Sequence, residues 1–132
     1  MRSKDIALSG VVGLLLGATA LFAHHSMAMF DTEKVVTYSG TITKFSYANP
    51  HVYVFADVQK DGKSVNYRVE ADSPYGLRER GWSSRSLKVG DKVTIVSHPT
   101  KDNSNFGLLM SITMADGRKL ESGPARQDDI QP

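Results

Sequence analysis

Residues 52 to 71 carry a two-residue apolar period on both sides of Asp61-Gly62, and that pattern limits this stretch to paired antiparallel strands. Val52, Val54, Ala56 and Val58 alternate with His51, Tyr53, Phe55 and Asp57. Beyond the turn, Val65, Tyr67, Val69 and Ala71 alternate with Asn66, Arg68 and Glu70. Successive side chains of a strand point to opposite faces, so each run offers one face to a core. Asp-Gly tolerates the positive φ of a two-residue turn, and Lys60 and Lys63 flank it, so a hairpin is expected.

The period extends in both directions. Val36, Tyr38, Gly40 and Ile42 share one side of a strand expected from about Val35 to Tyr47, and Gly40 within it predicts a bulge or sharp bend. Asn49-Pro50 interrupts the pattern. Ser73 ahead of Pro74 is a helix-start signal, and the expected short helix runs through Leu77 to Arg80 and stops at Gly81. Leu87-Lys88-Val89-Gly90-Asp91 turns into a strand from Lys92 to His98. Pro99 to Asn105 reads as polar loop, Gly107 to Met114 as a strand, and Asp116-Gly117 as a turn into Arg118-Lys119-Leu120. Three strands, a short helix and two strands follow the order of an OB-fold. The expected class is therefore all-β with a small helix, a five-stranded OB-fold-like Greek-key barrel. A long first strand with a central glycine suits a strand shared by two sheets. A plain antiparallel sandwich is the competing architecture, and periodicity does not separate the two.

The N-terminus reads as an export signal. Arg2 and Lys4 precede an uncharged run from Ile6 to Ala23, which ends in the small-residue stretch Ala18-Thr19-Ala20-Leu21-Phe22-Ala23. A retained anchor would need a span of about 20 residues. This run is shorter, contains three glycines and has no basic stop after Ala23. The expected organisation is a signal peptide over 1–23, an arm over 24–34, a barrel over 35–120 and a polar tail over 121–132. The mature chain is expected to be periplasmic or secreted, with no stable membrane insertion. Cleavage after Ala23 leaves His24 first; cleavage after Ala20 leaves Leu21-Phe22-Ala23 ahead of it. Cysteine is absent, which excludes disulfides, zinc thiolates and a cysteine nucleophile. The formal charge of +2 loses one unit with Arg2, Lys4 and Asp5, which argues against a nucleic-acid partner.

His24-His25-Ser26, Phe30-Asp31, Gly40-Thr41-Ile42, Asn49-Pro50-His51-Val52, Val69-Glu70, Gly81-Trp82, Leu87-Lys88-Val89-Gly90-Asp91 and Asp116-Gly117-Arg118 occur in that order. This pattern resembles a family of small exported bacterial proteins of unknown function, across nearly the whole mature chain. The resemblance implies secretion and a small β fold, and it brings no activity or site residues.

The mature chain has four histidines: His24, His25, His51 and His98. An N-terminal His24 offers its α-amine and its ring Nδ1 to one metal ion. The amine's ordinary pKa of about 7.7–8.0 makes loss of its proton inexpensive near neutral pH. One further imidazole completes three nitrogens, a histidine brace suited to Cu(II), which favours tetragonal nitrogen ligands. His51 and His98, both expected at strand ends, are candidates for that third ligand, with His25 in reserve. Taken singly, each could instead hydrogen-bond a turn or stand in solvent. Met27 and Met29 are soft donors suited to Cu(I), although packing of Met27, Met29 and Phe30 onto the barrel is the simpler expectation.

Phe45, Tyr47, Tyr53 and Phe55 suggest an aromatic strip with Lys44 and Arg68 nearby, of the kind OB-folds use for bases or sugars; cover by the arm or helix is the competing expectation. Glu70 is expected in a surface salt bridge with Arg68, worth under about 1 kcal/mol. Trp82 reads as a core plug. No phosphate loop, nucleophile elbow or acid–base pair is evident, so an enzyme is not expected. The leading expectation is a periplasmic copper-binding carrier, buffer or sensor holding Cu(II) or Cu(I) and meeting a metal ion or a periplasmic partner protein. The alternative is a metal-free OB-like module for a peptide, glycan or partner protein. A small copper redox enzyme is the third reading.

Overall fold

The computed structural model describes residues 27–123. The expected signal peptide, His24, His25 and the end of the tail lie outside these residues. The elements run β1 (Val36–Ser46), β2 (Tyr53–Lys60), β3 (Lys63–Glu70), α1 (Pro74–Arg78), β4 (Lys92–Pro99), β5 (Phe106–Met114) and β6 (Lys119–Glu121). The strands follow the order β3-β2-β1-β4-β5-β6, and a parallel β3–β5 pairing closes five of them into a barrel. That closure, and a β1 that pairs with both β2 and β4, excludes the two-sheet sandwich. The β6 strand is appended to β5, so the sheet runs through Glu121, a residue that composition alone places in the tail.

The hairpin forms as its sequence dictates: Asp61 and Gly62 both take positive φ, at 52° and 77°. Register then carries Val54 opposite Val69 and Ala56 opposite Tyr67, all buried. Each of the two valines taken from water contributes on the order of 1.5–3 kcal/mol. In β1 the irregularity falls at Thr43, between Ile42 and Lys44, and not at Gly40. Gly40 serves close approach instead: a Cβ there would lie 2.5 Å from the Asp57 carbonyl and 2.7 Å from Val58 Cγ1. The extra residue at Thr43 flips parity. Ile42 faces inward before it, and Phe45 and Tyr47 pack against the core after it. Phe45 and Tyr47 therefore do not share a strip with Tyr53 and Phe55.

Ser73 caps α1, its Oγ accepting from the Gly76 N–H, and Pro74 takes the first turn. The helix is short and ends at Arg78. Leu77 and Trp82 are buried against the barrel, and the Trp82 indole N–H donates to the Glu121 carbonyl. Trp82 is the core plug expected of it.

Candidate functional site

The arm is tied to the end of β4. The Asp31 N–H donates to the Pro99 carbonyl at 2.8 Å, the Lys101 N–H donates to the Met29 carbonyl at 2.9 Å, and Phe30 bridges Thr100. The Phe30 ring is buried edge-on against Phe106, with centroids 5.2 Å apart. Phe30 thus packs the arm as expected, but Met27 and Met29 do not. Their relative exposures are 47 and 42%, because the single aromatic contact leaves the neighbouring side chains on the solvent side.

His98 lies near the end of β4, beside this junction. Its Nδ1 is 2.7 Å from the Lys34 carbonyl. A carbonyl only accepts, so Nδ1 carries a proton, and the tautomer that fits this bond has its lone pair at Nε2. Metal-bound imidazoles are commonly held this way, with the second nitrogen donating to a carbonyl or carboxylate. The ring borders a groove of about 570 Å³ shared with Val96, Leu108, Met110 and Arg80.

His51 follows the cis Asn49-Pro50 bond. Its Nδ1 lies 3.3 Å from Glu70 Oε1, and Glu70 Oε2 accepts from the Tyr53 hydroxyl at 3.1 Å. Glu70 is only 5% exposed. The surface salt bridge expected between Glu70 and Arg68 is not formed. Register sets Glu70 opposite Tyr53 and Arg68 opposite Phe55. Burial is the main cause that raises the Tyr53 phenol above its ordinary pKa, with the Glu70 charge next.

The two strand-end histidines do not meet. Glu70 and His98 flank Leu108 from its two sides, which separates their backbones by two strand spacings, about 10 Å. Among the described residues no three of His, Asp and Glu gather around one point. His24 and His25 lie outside the described residues.

The outward side of β2 and β3 carries the rest of the chemistry. Lys44 Nζ stands 5.2 Å from the Phe55 centroid. The Arg68 guanidinium carbon is 4.0 Å from the Phe106 centroid and 5.6 Å from that of Tyr53. The arm therefore covers Phe106 and leaves Tyr53 and Phe55 partly open. Phe106, Met110 and Lys60 escaped the sequence reasoning. Lys60 is buried, and its ammonium donates to the carbonyls of Asn103 (2.7 Å) and Ser104 (3.2 Å) and to Asn105 Oδ1 (3.3 Å), fixing the β4–β5 loop. Its place in the β2 alternation, inward with Val54, Ala56 and Val58, was the available signal.

Among the described residues no helix is long and apolar enough to cross a membrane. No curated protein matches the chain. A family model does, over residues 4–110, and the chain belongs to that family of unknown function, DUF6152.

Proposed function

We propose that the exported chain, cut after Ala23, is a periplasmic or secreted copper-binding protein acting as carrier, buffer or sensor. His24 supplies its amine and Nδ1, and His98 supplies Nε2. The observation that carries this reading is the hydrogen bond from His98 Nδ1 to the arm's own Lys34 carbonyl, which leaves the opposite nitrogen as the free donor atom.

Chain length favours His98 over His51. Met29 lies beside Lys101, three residues along the chain from His98, or about 10 Å of extended backbone. Met29 is five steps along the chain from His24, and that stretch spans at most about 17 Å. That tether reaches His98. His51 is engaged with Glu70, whose backbone lies across Leu108 from His98, about 10 Å away. His25 stays in reserve. The exposed thioethers of Met27 and Met29 supply soft donors for Cu(I) beside the same ion.

The test uses exported protein whose intact mass begins at His24, titrated with Cu(II) and read by paramagnetic resonance. A tight nitrogen-rich axial site is expected. His24→Ala abolishes it, His98→Ala weakens it, and His51→Ala leaves it unchanged. A mass that begins at Leu21, or a site indifferent to His24→Ala, overturns the reading. The second reading, a metal-free binding module, is favoured by a separate feature, the outward face of β2 and β3.

A further inference from the structure

On that face Arg68 has an unusual setting. Its guanidinium lies between the rings of Phe106 and Tyr53 and makes no side-chain hydrogen bond or ion pair to any described residue. The nearest carboxylate in sequence, Glu70, is occupied by Tyr53 and His51. Asp57, on the same face, accepts from Asn66. Stacking fixes the plane of the guanidinium and leaves its N–H fork at the edge, the geometry that grips a carboxylate in two places. Among the described residues Lys44 also lacks a carboxylate partner, and it stands over Phe55.

Phe55 lies directly between the two cations: Lys44 pairs with it on one side and Arg68 on the other. Two strand spacings, about 10 Å, therefore separate their backbones. Both cations do not converge on one carboxylate, so the second contact falls on a neighbouring unit of an extended ligand. Between them, the partly open faces and edges of Tyr53 and Phe55 offer apolar contact.

Three classes of extended anion compete. A peptide docking by strand addition needs a free sheet edge. Here β2 is paired on both sides, by β1 and β3, and β3 is paired on both sides at Arg68 to Glu70. A nucleic acid places a charge on every nucleotide and binds through many cations at once; among the described residues this face presents two. A saccharide needs no backbone partner, stacks its C–H faces on aromatic rings and can carry sparse carboxylates.

We infer that the outward face of β2 and β3 binds an acidic oligosaccharide, with Arg68 gripping one uronate carboxylate, Tyr53 and Phe55 contacting the sugar rings, and Lys44 meeting a second carboxylate. The site is independent of the copper centre: it uses no histidine and lies on other strands.

The probe is a hexasaccharide alternating glucuronate with N-acetylglucosamine, titrated calorimetrically into the full exported chain in the presence of a chelator. Saturable binding is expected. Loss of a charge-assisted pair weakens it about tenfold to hundredfold in Arg68→Gln. Arg68→Lys does not restore it, because an ammonium lacks the fork. Lys44→Gln weakens binding by a smaller factor and disturbs no stacked pair beyond Phe55, so it serves if Arg68→Gln melts at a lower temperature. The same hexasaccharide with its carboxylates reduced to alcohols loses binding as fully as Arg68→Gln does. The inference is overturned by no binding, by unchanged affinity in both variants, or by equal affinity for the reduced sugar. Tighter binding of hexaglutamate or of hexathymidylate also overturns it and assigns the face to a protein or a nucleic acid.

Discussion

Replacing Gly107 with alanine tests the closure on which both sites rest. Gly107 sits in the parallel β3–β5 pairing, opposite Val69, between the rows that carry Arg68–Phe106 and Glu70–Leu108. A Cβ at this position collides with the Tyr67 hydroxyl and lies 2.9 Å from Ser97 Oγ and 3.0 Å from the His98 carbonyl. The Tyr67 and Ser97 hydroxyls share a 3.1 Å hydrogen bond in the closed interior. A methyl wedged between them breaks that bond and strands buried polar groups, at about 1–3 kcal/mol. Overpacking of the tight junction adds about 1–3 kcal/mol. Relief of glycine's chain entropy returns only about 0.4–1 kcal/mol. The net loss is about 1–6 kcal/mol, a large share of the 5–15 kcal/mol typical of a domain. With a urea slope of about 1–3 kcal/mol per molar, the midpoint falls by about 0.3 M or more. A double-mutant cycle assigns the cause. In a Tyr67→Phe background the hydroxyl is gone, and Gly107→Ala costs less by an interaction energy of about 1–2 kcal/mol. Additivity within about 0.5 kcal/mol refutes the reasoning, as does an unchanged midpoint for Gly107→Ala alone.

Phe30→Ala removes the ring that pins the arm to Phe106. It costs at most about 3–5 kcal/mol, makes residues 27–34 sensitive to limited proteolysis, and weakens copper binding without touching a proposed ligand. Unchanged proteolysis would show that the backbone hydrogen bonds hold the arm alone. Lys60→Met deprives three oxygens of the β4–β5 loop of their charged donor. The expected cost is about 2 kcal/mol, with amide exchange in residues 101–105 accelerated ahead of the barrel; uniform exchange contradicts it. Burial raises Tyr38, Tyr53 and Tyr67 above the ordinary 10.0. The folded chain thus keeps protons that the unfolded chain releases. Their contribution is complete below pH about 10 and is lost as pH climbs through the raised values. Ultraviolet titration alongside circular dichroism should show Tyr67 ionising only with unfolding, and tyrosinate signal from all five tyrosines in the folded state contradicts this.

Local signals carried most of the fold. Alternation on either side of Asp61-Gly62 defines the hairpin, and Ser73-Pro74 marks the helix start, because each depends on residues a few positions apart. The bulge at Thr43 left a weaker trace: apolar positions shift from even at Ile42 to odd at Phe45 and Tyr47. The surroundings of Glu70 and Arg68 were not legible. They follow from the barrel closing β3 against β5, which brings Arg68 beside Phe106 from far along the chain. His98 was recognisable as a strand-end residue. Its tautomer was not, since the Lys34 carbonyl is 64 residues away. The exposure of Met27 and Met29 likewise depends on Phe30 alone finding a ring to pack against.

Pulsed paramagnetic resonance of Cu(II)-loaded exported protein counts coordinated imidazoles through their remote nitrogens. For the amine of His24, its own ring and the ring of His98, the remote-nitrogen signal corresponds to two imidazoles in the wild type, one in His98→Ala and two in His51→Ala. Two imidazoles retained in His98→Ala, or one lost in His51→Ala, contradicts the assignment of His98 as the partner of the N-terminus.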